Sequence, residues 1–144
     1  MQFLIAFFVC FFAGLSQATE IVREQGFEIQ VQPFPSTFLT PEIAKIYGLE
    51  RSRRQSLLNV VVLQVHTDGS ARGAVSASVK GFVKNLIGQT QELSFQEIDE
   101  GEGAIYYLAP IRVSNEETIQ VSLQVALEGR PEIDVNFRHK VYVD

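Results

Sequence analysis

Residues 119–127 alternate apolar and polar side chains, and this period of two constrains the fold more than any other feature of the chain. The apolar members are Ile119, Val121, Leu123, Val125 and Leu127. Successive side chains of a β-strand point to opposite faces, so the pattern predicts a strand with one buried and one solvated face. The same alternation at residues 27–31 and 133–137 predicts two more strands of this kind.

The other apolar segments also predict strands joined by short turns. Residues 57–65 are almost continuously Leu and Val, which indicates a strand that is buried on both faces or central in its sheet. It ends near Asp68-Gly69, a dipeptide typical of hairpin turns. The next strand carries Gly81, which indicates a β-bulge or a close backbone approach. The series predicts an all-β, antiparallel, immunoglobulin-like β-sandwich of about seven strands, with a closed barrel as the alternative.

Residues 40–48 have the pattern of a short helix instead. Thr40 is a suitable N-cap, Pro41 fits the first helical position, and Gly48 provides the stop. The apolar residues at helical spacing are Ile43, Ile46 and Tyr47. A helix of two turns is stable only when it is packed against other elements, and we expect this one to close one end of the sandwich.

The N-terminal segment predicts export. Residues 1–18 carry no charged side chain and include an apolar run at residues 3–15, which is too short to span a bilayer comfortably. The segment ends at Ala18, where small residues occupy the positions that a signal peptidase reads. The sequence therefore predicts a cleaved signal peptide at residues 1–18 and a single β-sandwich domain at residues 19–144, with no membrane span after cleavage. An uncleaved membrane anchor is the alternative, because no Lys or Arg precedes the apolar run.

Composition excludes several classes of protein. The only cysteine, Cys10, lies in the predicted signal peptide, so the exported chain has no thiol and forms no disulfide. The 144 residues include 12 Lys and Arg against 17 Asp and Glu, which gives a net charge of −5. An acidic chain has no general positive field to attract phosphates, so no nucleic-acid partner is predicted.

Two histidines are the side chains of the exported chain that could act as an imidazole base. His66 is close in sequence to Asp68 and Ser70, the residue types of a catalytic triad. Residues this close in one hairpin turn point apart, however, and a triad is defined by geometry. His139 continues the inward parity of residues 133–137, and a histidine bonded to a backbone carbonyl or displaced by a bulge is the simpler interpretation. No catalytic residue is predicted.

The strongest candidate for a cation site is Asp99-Glu100-Gly101-Glu102. Calcium prefers clustered oxygen ligands, but this segment lacks the spacing that would wrap one ion. The two histidines form no recognisable zinc pattern without cysteine. We interpret the segment as a solvated turn and predict no metal and no cofactor. The alternative is a small metal- or carboxylate-dependent envelope enzyme in which Asp99, Glu100 and His66 converge on a common point.

A basic cluster follows the predicted helix in this otherwise acidic chain. Its members are Lys45, Arg51, Arg53 and Arg54. Together they would form a rim that binds a carboxylate, a phosphate or an acidic patch of a partner. Solvation, or pairing with nearby carboxylates, is the alternative. Most aromatic residues nearby belong in the core, but Phe38 and Tyr47 are candidates for an apolar binding edge beside the rim.

The most distinctive stretch is residues 34–49, which read Phe-Pro-Ser-Thr-Phe-Leu-Thr-Pro-Glu-Ile-Ala-Lys-Ile-Tyr-Gly-Leu. Other distinctive stretches lie at residues 51–52, 57–60, 85–89, 104–108 and 115–117. Taken together, the mature chain resembles a bacterial family of uncharacterised exported proteins, domain-of-unknown-function family 4426. The resemblance implies the periplasm of a Gram-negative cell and transfers no catalytic residue. Pro35 is a departure, since the resemblance leads us to expect asparagine there.

These features favour a non-catalytic, exported protein-interaction or ligand-binding module. We expect it to bind an envelope component, such as a protein partner, through loops or an edge strand. Residues 34–54 are the predicted binding segment, because irregular loops on a rigid scaffold commonly carry function. The small envelope enzyme is the rival from a different class. A purely structural subunit with a self-complementary apolar face is the third alternative.

Overall fold

The computed structural model describes residues 19–101 and 103–143, and within them ten strands form two antiparallel sheets. The predicted all-β antiparallel sandwich is therefore confirmed. The strands in chain order are β1 (Glu20–Glu24), β2 (Phe27–Pro35), β3 (Gln55–Val65), β4 (Ala71–Ala74), β5 (Ser78–Asn85), β6 (Thr90–Glu92), β7 (Gln96–Gly101), β8 (Ala104–Arg112), β9 (Thr118–Ala126) and β10 (Ile133–Lys140). The predicted signal peptide and Glu102 lie outside the described residues.

The six-stranded sheet has the order β1-β2-β3-β8-β7, with β4 also paired to β3, and the four-stranded sheet has the order β10-β9-β5-β6. Strand β3 is central in the larger sheet. One of its edges pairs with β2, while the other pairs with β8 at its start and β4 at its end. This position, with neighbours on both edges and other residues packed on both faces, explains its almost continuous apolar run.

Three short strands raise the count above the seven predicted from the sequence. They are β1, β4 and β6, of five, four and three residues. Their sequences, EIVRE, ARGA and TQE, contain no sustained apolar alternation. They form because their backbone groups pair in hairpins with a longer neighbour, and backbone pairing leaves no apolar periodicity in the sequence.

The main core lies between the two sheets and is built from the predicted alternation. The alternating apolar residues of β9 are all buried, and Leu58, Val60 and Val62 of β3 face them from the larger sheet. The opposite parity of β3 contributes Leu57 to a second apolar cluster on the outer face of the larger sheet. Its other buried members are Phe34, Leu39, Ile43, Ala44, Ile98, Tyr106 and Leu108.

A short helical region covers this second cluster. It consists of a 3₁₀ turn (Ser36–Phe38) and the helix α1 (Pro41–Tyr47). The caps are as predicted, because the Thr40 hydroxyl accepts from the Ile43 amide at 3.3 Å and Gly48 adopts a left-handed conformation with φ 65°. The position differs from the prediction, since α1 packs on the outer face of the six-stranded sheet and does not close an end of the sandwich.

The buried face of α1 also differs from the predicted one. Ile43 and Ala44 are buried, Tyr47 is half-buried, and Ile46 is exposed. Ala44, which periodicity did not single out, takes the inward position that was expected for Ile46. Within the described residues, no helix is long and apolar enough to cross a membrane.

Gly81 marks a close backbone approach and not a bulge. The pairing of β5 with β9 runs without a register shift from Ser78 to Asn85. A Cβ atom at Gly81 would lie 2.1 Å from the carbonyl oxygen of Ser122 in β9. The absence of a side chain is therefore what allows the two strands to approach at this point.

Candidate functional site

The segment between α1 and β3 is fixed to the end of β2 by a buried serine. The Ser36 hydroxyl donates to the Ser52 carbonyl at 2.8 Å and accepts from the Ser52 amide at 2.9 Å. The Ser52 hydroxyl in turn accepts from the Arg54 amide at 3.1 Å. These bonds hold the backbone that carries Arg53 and Arg54 in one position relative to the larger sheet.

Arg51, one of the four residues of the predicted rim, is used within this segment. Its Nε donates to the Leu39 carbonyl at 2.6 Å, and a terminal guanidinium nitrogen donates to the Thr37 carbonyl at 3.2 Å. Lys45 is exposed in the last turn of α1, where the negative end of the helix favours a cation. Neither Lys45 nor Arg51 lines the open cleft that Arg53 and Arg54 line.

An open cleft of about 1120 Å³ lies where the β5–β6 hairpin approaches the end of β8. Arg53 and Arg54 line it from one segment, and Arg112 lines it from the end of β8. The Val113 amide donates to the Arg54 carbonyl at 2.8 Å and joins the two segments. We call the space lined by Arg53, Arg54 and Arg112 the arginine cleft.

Glutamine and asparagine side chains build the hairpin wall of the arginine cleft. Gln91 donates through Nε2 to the Arg112 carbonyl and accepts through Oε1 from the Arg112 amide, both at 2.8 Å. Strand β7 pairs with β8 only as far as Leu108, so the Gln91 side chain occupies the place of a neighbouring strand at Arg112. Asn85 and Gln89 close the hairpin turn with two bonds of the Asn85 side chain, at 2.9 Å each, and one from the Asn85 amide to the Gln89 carbonyl at 3.0 Å.

The charges of the arginine cleft are unbalanced. In the described parts of the chain, the side-chain ion pairs are Arg23–Glu28 and Lys80–Glu132, and the three guanidinium groups of the cleft take part in neither. Glu117 is the carboxylate on the lining, and its Oε1 accepts from the Ser114 amide at 3.3 Å. The cleft therefore presents net positive charge and guanidinium donors to an incoming group.

The two aromatic residues predicted to form a binding edge lie against the second apolar cluster, away from the lining of the arginine cleft. Phe38 and Tyr47 are both half-buried there. The Tyr47 hydroxyl donates to Oε1 of Glu100 at 2.5 Å. Burial, followed by this hydrogen bond to a carboxylate, raises the pKa of Tyr47 to about 12. Both aromatic residues contribute to packing beneath and beside α1.

The acidic segment is not the turn that the sequence indicated. Asp99 and Glu100 lie in β7, where the register shifts between Asp99 and Gly101. The Asp99 carboxylate accepts from the Gly101 amide at 2.9 Å, while Glu100 accepts from Tyr47. Among residues 19–101 and 103–143, no three His, Cys, Asp or Glu side chains are placed to hold a metal ion. Asp99, Glu100 and His66 therefore do not form the convergent metal site that the enzyme alternative requires.

The residues that suggested a triad form a hydrogen-bonded hairpin turn. The Ser70 hydroxyl donates to Oδ1 of Asp68 at 2.7 Å, and the Ser70 amide donates to the same oxygen at 2.9 Å. These bonds hold the pKa of Asp68 below its ordinary value. In a catalytic triad the serine hydroxyl donates to the histidine. Here it donates to the aspartate, so the bonds stabilise the turn.

His139 is half-buried on the inward side of β10, at a position where the pairing with β9 is regular and no bulge displaces it. Burial lowers its pKa below the ordinary 6.5, so the folded protein binds fewer protons than the unfolded chain near that pH. Stability is therefore complete above pH 6.5 and decreases as the pH falls through 6.5 toward the folded-state pKa. Urea unfolding between pH 7.5 and 5 is expected to show this decrease, and His139→Gln is expected to reduce it. An unchanged pH dependence in the variant would contradict the assignment.

Comparison with known proteins gives a family match and two similar folds. Residues 22–144 match the family described as a domain of unknown function, DUF4426. The crystal structure of a DUF4426 family protein from Pseudomonas aeruginosa PAO1 is 32% identical, with a TM-score of 0.75, over 90% of this chain and 99% of that chain. No curated protein matches the chain.

The second similar fold is FetP of uropathogenic Escherichia coli strain F11. A copper-bound variant of FetP is 15% identical, with a TM-score of 0.63, over 87% of this chain and 90% of that chain. FetP in the as-isolated form, expressed recombinantly in the periplasm of E. coli, has the same identity and TM-score over 90% of this chain and 98% of that chain. At this level of identity the likeness concerns the fold.

Proposed function

This chain belongs to the DUF4426 family, and from that premise we propose that it is a non-catalytic binding module of the periplasm that recognises an anionic group on an envelope component. The arginine cleft is the observation that carries the proposal. Its three arginines come from two segments of the chain, line one open space and are all exposed. Guanidinium groups bind carboxylates and phosphates through paired, charge-assisted hydrogen bonds.

The openness of the arginine cleft supports recognition of a larger component. Sites for small organic ligands are commonly enclosed and mainly apolar, with a few polar groups that fix orientation. This cleft is open, and its lining is dominated by arginine, amide and hydroxyl side chains. Among the described residues of its lining there is no imidazole or thiol to serve as a catalytic base or nucleophile. The arrangement suits the binding of an exposed carboxylate or phosphate.

The proposed location depends on the predicted signal peptide at residues 1–18 and on the thiol-free sequence that follows it. The copper of the FetP variant is not part of the proposal, because no cluster of three His, Cys, Asp or Glu side chains is placed to hold a metal ion in the described parts of this chain. The N-terminus of the exported protein, read by mass spectrometry, tests the location directly.

Removing the three positive charges of the arginine cleft is expected to abolish most binding. The variant Arg53→Gln/Arg54→Gln/Arg112→Gln keeps side-chain length but loses the charge-assisted bonds, each of which contributes about 1.5–3 kcal/mol. Crosslinked affinity capture from envelope extracts, quantified by mass spectrometry, is expected to recover the partner at least about tenfold less with this variant than with the wild type. The melting temperature should change little, because the three side chains are exposed.

A control variant that loses the same number of charges separates the effect of the arginine cleft from the effect of the protein's net charge. The variant Lys45→Gln/Lys80→Gln/Arg130→Gln also removes three positive charges, and none of these residues lines the arginine cleft. It is expected to capture the same partner as the wild type. An equal reduction in both variants, or full capture by the cleft variant, would contradict the proposed function.

A further inference from the structure

The tip of the β5–β6 hairpin exposes two adjacent aliphatic side chains. Leu86 is 73% exposed and Ile87 is 80% exposed. They occupy the turn between Asn85 and Gly88, which both line the arginine cleft, so the tip projects at the margin of that cleft. Hairpin turns usually carry small or polar residues. A pair of exposed aliphatic residues at this position therefore indicates a contact surface.

Basic side chains lie on both sides of this tip. The arginine cleft is on one side. On the other side, the outer face of the four-stranded sheet carries Lys84 and Arg138 in one row across Gln120, and Lys140 opposite Thr118. Six of the 12 Lys and Arg of the chain thus lie in the cleft or in these rows of the outer face: Arg53, Arg54, Lys84, Arg112, Arg138 and Lys140. The carboxylates of the neighbouring loop are those of Glu116 and Glu117.

Tyr142 adds a third apolar group to the same end. It follows β10, the residue is 50% exposed, and the Lys140 ammonium lies 5.8 Å from the ring centroid. The backbone near it is held by bonds from the Glu116 amide to the Val141 carbonyl and from the Val141 amide to the Glu117 carbonyl. Tyrosine and lysine side chains side by side are typical of the boundary between lipid headgroups and acyl chains.

We propose that this end of the molecule docks on a bilayer surface that contains anionic lipid. Leu86 and Ile87 enter the boundary between headgroups and acyl chains, and the basic residues on both sides of the tip bind headgroup phosphates. A projecting turn with two aliphatic side chains lacks the broad apolar core of a protein interface. Because cations lie on both sides of the tip, the arrangement matches a broad, negatively charged surface such as a bilayer. The inference deepens the proposed function. It rests on that function because it assigns the arginine cleft to the binding of headgroups.

Vesicle co-sedimentation tests the inference. Protein purified from a periplasmic extract after expression of the full gene is mixed with vesicles of phosphatidylethanolamine and phosphatidylglycerol, or of phosphatidylcholine alone. The N-termini of the wild type and all variants are confirmed to be identical by mass spectrometry. The wild type is expected to sediment with the anionic vesicles, and less so at 0.5 M salt, because salt screens the headgroup contacts. Leu86→Ser/Ile87→Ser is expected to lower the partition coefficient about tenfold or more.

Ile46→Ser is the matched control, since Ile46 is 55% exposed on α1 and lies on neither the tip nor the cleft. It is expected to bind vesicles as the wild type does, and circular dichroism confirms that each variant is folded. Equal binding to phosphatidylcholine vesicles, or unchanged binding by the tip variant, would overturn the inference. The inference would also be overturned if the tip variant no longer captured a soluble protein partner but still bound the vesicles.

Two results distinguish this inference from the proposed function. If vesicles are not bound but Arg53→Gln/Arg54→Gln/Arg112→Gln still loses a captured anionic protein, the docking inference fails and the proposed function stands. If the tip variant loses vesicle binding while the cleft variant retains both vesicle binding and partner capture, docking through Leu86 and Ile87 is supported and the function of the arginine cleft fails. Competition with an excess of inorganic phosphate gives a further result. If it releases the protein from vesicles, the headgroup contact is with the phosphate group.

Discussion

Replacing Phe34 with alanine is expected to lower the free energy of unfolding by about 3–5 kcal/mol. Phe34 is 1% exposed and is the largest side chain among those that are fully buried in the described parts of the chain. It packs with Leu57, Leu108 and the helix residue Ile43 in the second apolar cluster. Its removal leaves a cavity that the larger sheet cannot readily fill, because the neighbouring strands β3 and β8 are each paired on both edges there.

The effect is expected to reach the arginine cleft as well. Helix α1 has seven residues, too few to be stable without packing, and Phe34 is part of the surface on which it packs. Urea unfolding measures the loss of stability, and hydrogen exchange of residues 36–54 measures loosening of the segment that carries Arg53 and Arg54. Phe82→Ala is the matched control, because Phe82 is 41% exposed and its loss should change stability by about 1 kcal/mol or less. Similar losses in both variants would contradict the account of the second cluster.

Substitution of Gly81 by alanine is expected to destabilise the four-stranded sheet by about 3 kcal/mol or more. The added Cβ would lie 2.1 Å from the Ser122 carbonyl oxygen and 2.9 Å from the Leu123 Cα, both backbone atoms of β9. Strand β9 is paired with β5 on one edge and with β10 on the other. It therefore cannot move away without weakening two ladders of hydrogen bonds, and no side-chain rotation relieves the overlap.

Ser78→Ala is the control for this strand. Ser78 is exposed at the start of β5, so removal of its hydroxyl should change stability by about 0.5 kcal/mol or less. Thermal and urea unfolding of the two variants gives the comparison. Wild-type stability of Gly81→Ala would show that β5 and β9 are not as close at this point as the structure places them.

The main elements of the fold could be predicted because their causes are local. The alternation of β9 and β10 reflects one solvated face, and the caps of α1 lie within the helix or next to it. The packing position of α1 could not be predicted in the same way. It depends on Phe34, Leu57 and Leu108, which come from three strands and meet only when the larger sheet has formed. Sequence periodicity shows that a face is buried but does not show which surface covers it.

The candidate site was predictable in part for the same reason. Arg53 and Arg54 are adjacent in sequence, so the search for local clusters of basic residues identified them. Arg112 reaches the cleft because it pairs with Gln55 across β3 and β8, and no local pattern announces that pairing. Arg51 has the same charge and lies in the same cluster, yet two backbone carbonyls accept its hydrogen bonds. Composition places cations near a site, whereas hydrogen-bond geometry decides which of them are available to a ligand.

The Gln91 side chain has a further consequence for how the molecule meets other chains. Past Leu108, strand β8 would present bare amide and carbonyl groups along its border, and such borders recruit foreign strands and seed aggregates. Gln91 occupies both groups of Arg112 with its own amide. Another chain therefore finds no free backbone amide or carbonyl at Arg112 with which to pair as a strand. The Gln91 side chain therefore protects this edge position of β8 against intermolecular sheet extension.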